Sequence, residues 1–161
     1  MPEILRVDPA SADAVAILRR YYDDIITRYY GRPATEAEVD EQLAGDPDDD
    51  LRDDLGVFFL ASEAGRALGC AGARYVDADT AELTRVFVAP EARGSGLAAA
   101  LVAAVEAESM RHGRTRARLD TRDDLVEARA LYAKLGYTEV APFNDSPYAE
   151  HWFAKELAQE P

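Results

Sequence analysis

The sequence is poor in the residues that build disulfide staples, metal cages and nucleophilic triads. It holds one cysteine, Cys70, and two histidines, His112 and His151, in 161 residues. A single thiol closes no internal disulfide, so a small secreted scaffold is excluded and a reducing cytoplasm is the expected location. No apolar run approaches the roughly 20 residues that span a bilayer. The opening MPEILRVDPA has neither the basic start nor the apolar stretch of a secretory leader, so no membrane partner is expected. Positive charge is also scarce, with 18 Lys plus Arg against 31 Asp plus Glu and a net charge of -13. Binding a phosphate backbone needs the opposite balance, so nucleic acid is not an expected partner. The acidic surplus serves solubility and is compatible with a cationic small ligand. The acidic run GDPDDDLRDDLG (45–56) lacks the alternation and distal Glu of a calcium loop. It reads as a solvated loop, and no metal is expected.

What is present is enough for one compact core. Hydrophobic residues make up 48% of the chain, and neither a repeat nor an interdomain linker interrupts it, so one domain over 1–161 is expected. EILRVD (3–8) reads as a strand. Val15, Leu18, Tyr22, Ile25, Ile26 and Tyr29 recur at helical spacing, giving a helix over 10–29 that begins near Ser11 or Asp13 and stops at Gly31 and Pro33. Thr35 followed by Glu38 resembles a capping box for a second helix to about Ala44. Three strands follow, 57–62, 67–76 and 81–88, joined by short turns as an antiparallel meander. A helix from Gly96 to Gly113, a strand over 115–121, a helix over 124–135, the strand YTEVAPF and a final strand in YAEHWFAKEL complete the chain. His112, in a last helical turn, is expected to meet helix-end carbonyls. Cys70 reads as a small core residue. The order β-α-α-β-β-β-α-β-α-β-β predicts an α/β (α+β) fold of about seven strands and about four helices. A crossover helix makes 81–88 and 115–121 a parallel pair in a mixed, mostly antiparallel sheet.

The strongest local signal is VFVAPEARGSGLA, in which a strand enters a glycine-rich turn and then a helix. A helix start leaves backbone N–H groups unpaired at the positive end of its dipole. Gly94 and Gly96 remove side chains that would hold a ligand away from those amides. An anion such as a pyrophosphate fits there, with Arg93 adding a charge contact. The same loop matches the dinucleotide pattern G-x-G-x-x-A from Gly94 to Ala99, and Asp120 ends the next strand where a ribose-binding acid would stand. Against that reading, three antiparallel strands precede the motif and no second mononucleotide half follows it.

Residues 82–98, ELTRVFVAPEARGSGLA, resemble the signature of the GNAT superfamily of N-acetyltransferases, R/Q-x-x-G-x-G/A, here Arg93, Gly96 and Ala98. EARALYAKLGYTEV resembles that family's second landmark. The closing NDSPYAEHWFAKEL resembles a bacterial subgroup. The resemblance implies that the parallel strands splay, with the pantetheine arm of acetyl-CoA between them. Backbone groups of Val86, Phe87 and Val88 would pair with that arm. The amides of Arg93, Gly94, Ser95, Gly96, Leu97 and Ala98 would hold the pyrophosphate. Leu125 stands where many members carry Asn, which removes one expected side-chain contact.

Acetyl transfer to an amine needs a base, an oxyanion donor and an acid for the leaving thiolate. The resemblance implies Tyr132 as the acid, Glu82 as the base and the Val88 amide as the oxyanion donor, with direct attack in a ternary complex. A core tyrosine and a surface strand glutamate are the rival roles, and a water chain could replace Glu82. Matched acidities would ease transfer from the phenol to a thiolate. Tyr29, Tyr30, Asn144, Asp145, Tyr148 and His151 are candidate contacts for a small-molecule or peptide amine, His151 also as an alternative base. Trp152 suits core or dimer packing, and a homodimer is common in the family. A non-catalytic acyl-CoA-binding module and a nucleotide-binding oxidoreductase are the competing functions.

Overall fold

A computed structural model describes residues 2–45 and 47–157. The elements are β1 (Glu3–Arg6), α1 (Ala12–Tyr30), α2 (Glu36–Gly45), β2 (Gly56–Glu63), β3 (Arg66–Tyr75), β4 (Thr80–Val88), a 3-10 turn (Pro90–Ala92), α3 (Leu97–Arg111), β5 (Arg116–Thr121), α4 (Val126–Lys134), β6 (Thr138–Val140) and β7 (His151–Glu156). The order of elements is the expected one. Local chemistry sets their ends. The Ser11 hydroxyl accepts from Ala14 N at the start of α1, and Gly31 closes that helix at φ 70°. Thr35 and Glu38 form the reciprocal capping box: Glu38 N donates to Thr35 Oγ1 at 3.1 Å and Thr35 N donates to Glu38 Oε1 at 2.9 Å. The sixth strand is shorter than YTEVAPF, for Pro142 has no N–H to give a ladder.

The seven strands form one mixed sheet in the order β1-β2-β3-β4-β5-β7-β6. All pairings are antiparallel except β4 with β5. One face carries α3 and α4 over Val57, Phe59, Leu83, Leu119 and Phe153. The other carries α1 over Phe58, Leu60, Cys70 and Phe87, and α2 packs on α1 through Val39, Tyr22 and Ile26. Cys70 is fully buried, as expected of a core residue, and burial pushes its thiol pKa well up. No helix among the described residues is long and apolar enough to cross a membrane.

Two sequence expectations need correction. The His112 ring does not turn to helix-end carbonyls: its Nε2 lies 3.1 Å from Glu108 Oε1, and the ring sits 5.5 Å from that of Tyr75. The acidic 45–56 segment is more than a solvated loop. Leu51 is fully buried, Asp50 accepts from Arg74 Nε at 2.7 Å, and Asp48 pairs with Arg85 beneath α1. Asp50 is further locked by Gly56, where a Cβ would stand 2.4 Å from the Asp50 carbonyl oxygen.

Candidate active site

The parallel pair is short. Only Thr80, Ala81 and Glu82 of β4 find partners on β5, namely Arg116, Ala117 and Arg118. Beyond them the strands part, and a cleft of about 730 Å³ opens between Leu83–Val88 on one side and Leu119–Arg122 on the other. Residues of α1, α4 and the glycine turn close it. A β-bulge shapes its β4 wall. Register with β3 slips between Thr84 and Phe87, and Arg85 takes φ 54°. Leu83 and Phe87 would share a face in a regular strand. The extra residue sends Leu83 to the α3 side and Phe87 to the α1 side. Ala89 N donates to Leu68 O at 2.8 Å, so by antiparallel alternation Val88 turns its N–H and C=O the other way, toward the cleft.

The glycine turn continues that wall. Gly94 and Gly96 lie at φ 80° and 82°. A Cβ added to either would meet nothing within 4 Å. Backbone conformation, rather than the side-chain clearance expected from sequence, is thus what requires glycine here. Gly96 is the N-cap of α3 and provides no side-chain cap, so the first-turn amides stay directed outward. Ser95 Oγ donates to Ala92 O at 2.6 Å and stiffens the turn. Of the expected cofactor residues, Val86, Phe87, Val88, Arg93, Gly94 and Ala98 line the cleft. Ser95, Gly96 and Leu97 do not, and the Leu97 side chain is buried in the core. The Arg93 guanidinium lies on the chain itself, donating to Val88 O at 3.0 Å and standing 3.6 Å from Asp24. Leu125 also lines the cleft, as the N-cap residue of α4.

Both catalytic candidates reach the same cleft. Tyr132 is held by ring contacts to Tyr137 and Phe153, with centroids 5.8 and 6.4 Å away. Among the described residues its hydroxyl has no hydrogen-bond partner. Burial, then the nearby Tyr21, pushes its pKa well above the ordinary phenol value. The matched acidities anticipated from sequence are therefore absent. Tyr132 is a protonated donor at neutral pH and suits a strong hydrogen bond to a thiolate better than full transfer. Glu82 stands 3.4 Å from Arg118 Nε with its side chain 19% exposed. Burial raises its pKa, Arg118 opposes that rise, and Asp120 adds to it.

Tyr29, Tyr30, Asn144 and Tyr148 line the cleft, whereas Asp145 and His151 do not. Tyr29 makes edge-on contacts with Tyr30 and Tyr148, centroids 5.1 and 5.4 Å apart, and so joins the end of α1 to the 144–148 turn. His151 is engaged elsewhere. Its Nε2 lies 2.8 Å from Asp123 and its Nδ1 2.9 Å from Glu139, and those two carboxylates raise its pKa. A ring held between two carboxylates outside the cleft is poorly placed to act as a base. Trp152 donates from Nε1 to Asn144 Oδ1 at 3.0 Å. The sequence reading missed Tyr21, Arg74 and the Arg28–Glu127 pair, all at the cleft, and considered Asp120 only as a ribose ligand. The aromatic character of α1 was the available signal for Tyr21. The arginines gave none. Among the described residues no group of three or more acidic, His or Cys side chains is placed to hold a metal.

A sheet opened at its parallel pair, beside a glycine turn and an uncapped helix, defines a class, and comparison with known proteins agrees. Residues 18–137 match the acetyltransferase (GNAT) family. An uncharacterized N-acetyltransferase of Schizosaccharomyces pombe is 32% identical over 120 residues, 73% of each chain. A GNAT-family acetyltransferase structure from Staphylococcus aureus superposes with a TM-score of 0.79 at 16% identity, covering 98% of this chain and all of that one. One from Elizabethkingia anophelis, with acetyl-CoA bound, gives 0.65 at 15% identity over 97% of this chain and 98% of its own. These two structures bear on the fold. The chain belongs to the acetyltransferase (GNAT) family and is an N-acetyltransferase of that family, in which acyl-CoA is the group donor.

Proposed function

We propose that the protein transfers an acetyl group from acetyl-CoA to a primary amine of a small molecule or peptide, by direct attack with both substrates bound. One observation carries this reading. The β4 edge beyond Glu82, the uncapped start of α3, the Tyr132 hydroxyl and the Glu82 carboxylate all belong to a single cleft or its immediate border. A single domain in the cytoplasm suits a chain whose one thiol is buried.

The residues divide the work. Main-chain groups of Val86–Val88 would pair with the pantetheine arm as a further strand would. Amides from Arg93 to Ala98 would face the pyrophosphate at the positive end of α3. Acetyl-CoA supplies an activated acyl group whose leaving atom is a thiolate sulfur. The Val88 N–H, turned to the cleft, donates to the oxygen on which charge develops. Glu82 takes a proton from the incoming ammonium, directly or through one water, aided by its raised pKa. Tyr132 donates a hydrogen bond to the sulfur as the C–S bond breaks, and the departing thiolate would take up the second proton that the nitrogen loses, giving amide and free thiol. The Cys70 thiol is buried and donates to Arg85 O at 3.1 Å, so no acyl-enzyme step is assigned to it.

The test is an amine panel with acetyl-CoA, read by mass spectrometry, on wild type and Tyr132→Phe. At least one amine should gain an acetyl group. The variant keeps the ring contacts and should lose about 100-fold in kcat, with the KM for acetyl-CoA within about twofold. Turnover unchanged in the variant would remove the hydrogen bond to the sulfur from Tyr132's role, and a panel with no acetylated amine would overturn the function.

A further inference from the structure

Charge around the cleft is matched with one exception. Arg28, Arg74, Arg85, Arg93 and Arg122 line it, and each holds an ion pair with an Asp or Glu. Of the carboxylates that line it, Glu127 pairs with Arg28, Asp24 with Arg93 and Glu82 with Arg118. Asp120 remains. Among the described residues it forms no ion pair, and its hydrogen-bond partner is a neutral amide, with Asn144 Nδ2 donating to Asp120 Oδ2 at 2.8 Å.

That contact is fixed from behind. Asn144 Oδ1 accepts from Trp152 Nε1 at 3.0 Å and from Ser146 N at 3.2 Å, which obliges the amide NH2 to face Asp120. Trp152 is the cross-strand partner of Asp120, so both stand on one face of the sheet. Asp120 also shares a face with Arg118, the register partner of Glu82, and lies two residues farther along β5, about 7 Å at strand rise. The cleft thus presents two carboxylates in line, of which only the inner one has a resident cation. A substituent carrying a carboxylate would meet no unmatched arginine there, whereas a second ammonium would meet Asp120.

We propose that Asp120, positioned by Asn144, docks a second ammonium group of the acceptor while the reacting amine lies toward Glu82, so that the acceptor is a diamine or a longer polyamine. This rests on the acetyltransferase reading above and specifies its acceptor. The test compares putrescine with butylamine, which have equal carbon chains, in steady-state kinetics on the full chain and on Asp120→Asn. Wild type should prefer putrescine by at least about tenfold in kcat/KM. The variant should lose about tenfold more for putrescine than for butylamine, the extra loss falling on KM, while any loss common to both amines reports the Asp120 contribution to the Glu82 pKa. Equal use of the two amines by wild type, or an equal loss for both in the variant, would overturn the proposal and leave the acetyltransferase reading standing. Acetylation of no amine by wild type would overturn both. The wild-type comparison decides even where Asp120→Asn fails to fold.

Discussion

Between Leu83 and Ala98 the cleft is bordered by one segment that offers main-chain groups, whereas around Glu82 and Asp120 it is bordered by residues arriving from α1, β3, β5 and the 144–148 turn. The first wall comes from one continuous stretch: a bulge at Arg85, an outward Val88 amide, two glycines at positive φ and a helix start. The second is assembled from ion pairs between distant segments, such as Arg28 with Glu127 and Asp50 with Arg74. Main-chain recognition depends on dihedral angles and tolerates many side chains. Side-chain recognition depends on partners and on burial. A cosubstrate common to a family suits the first kind of wall, and an acceptor particular to one protein suits the second.

The contrast can be broken at either wall. The largest effect is expected at the side-chain wall, where Glu82→Gln should lower kcat/KM by about 100-fold at neutral pH. As the proposed base, Glu82 would act as a carboxylate, and its pKa is raised, so the acidic limb of the wild-type pH profile should lie above the ordinary glutamate value and vanish in the variant. A limb that persists unchanged would assign it to another group. The same raised pKa means that the charged form is disfavoured by folding. Stability contributed by Glu82 is present below its unfolded value and lost as pH rises through the folded one, so Glu82→Gln should not destabilise at neutral pH.

Next comes Asp48→Ala, which removes the carboxylate paired with an arginine only 2% exposed and leaves that arginine with neutral contacts such as the Thr84 hydroxyl. It should cost about 3 kcal/mol in chemical denaturation, and a cost near zero would show that Arg85 finds water or another partner. At the main-chain wall Gly96→Val should strain a φ of 82° by about 1–2 kcal/mol. Calorimetry should show roughly tenfold weaker acetyl-CoA binding, with little change in the KM for amine. An equal loss in both would contradict the division into two walls. The smallest effect belongs to His151→Ala. The raised His151 pKa places its stabilising contribution below the unfolded value of about 6.5, to be lost as pH rises through the folded value. Thermal melts should therefore separate variant from wild type by at most about 1 kcal/mol at pH 6 and draw together as pH rises, with kcat unchanged.

The same division explains what the sequence could disclose. Ser11, Thr35 with Glu38, and Gly31 act on neighbours a few residues away, so a local reading reaches them. The glycine turn is local too, although its reason, positive φ, is visible only in the backbone. Tyr132 and Glu82 emerged through family likeness, since nothing in their immediate neighbours marks a phenol or a carboxylate as facing a cleft. The insertion of β7 between β5 and β6 was not legible, because short turns report hairpin neighbours and β7 also pairs with β5, two strands earlier. The partners of Asp48, Asp50 and Asp120 were hidden for the same reason. An acidic residue looks alike in sequence whether it faces water or a buried arginine.

The separation of β4 from β5 has one more consequence. A strand edge with unused main-chain groups is ordinarily a hazard at the rim of a sheet, where another polypeptide can add to it and seed aggregation. Here that edge lies in the middle of the sheet, enclosed by α1, α4 and the turn before α3. A second protein strand would have to bring side chains on both faces past the elements that enclose it. A thin, flexible chain with amides of its own would not. Placing the exposed edge indoors thus turns a common route to misassembly into a selective filter for slender guests.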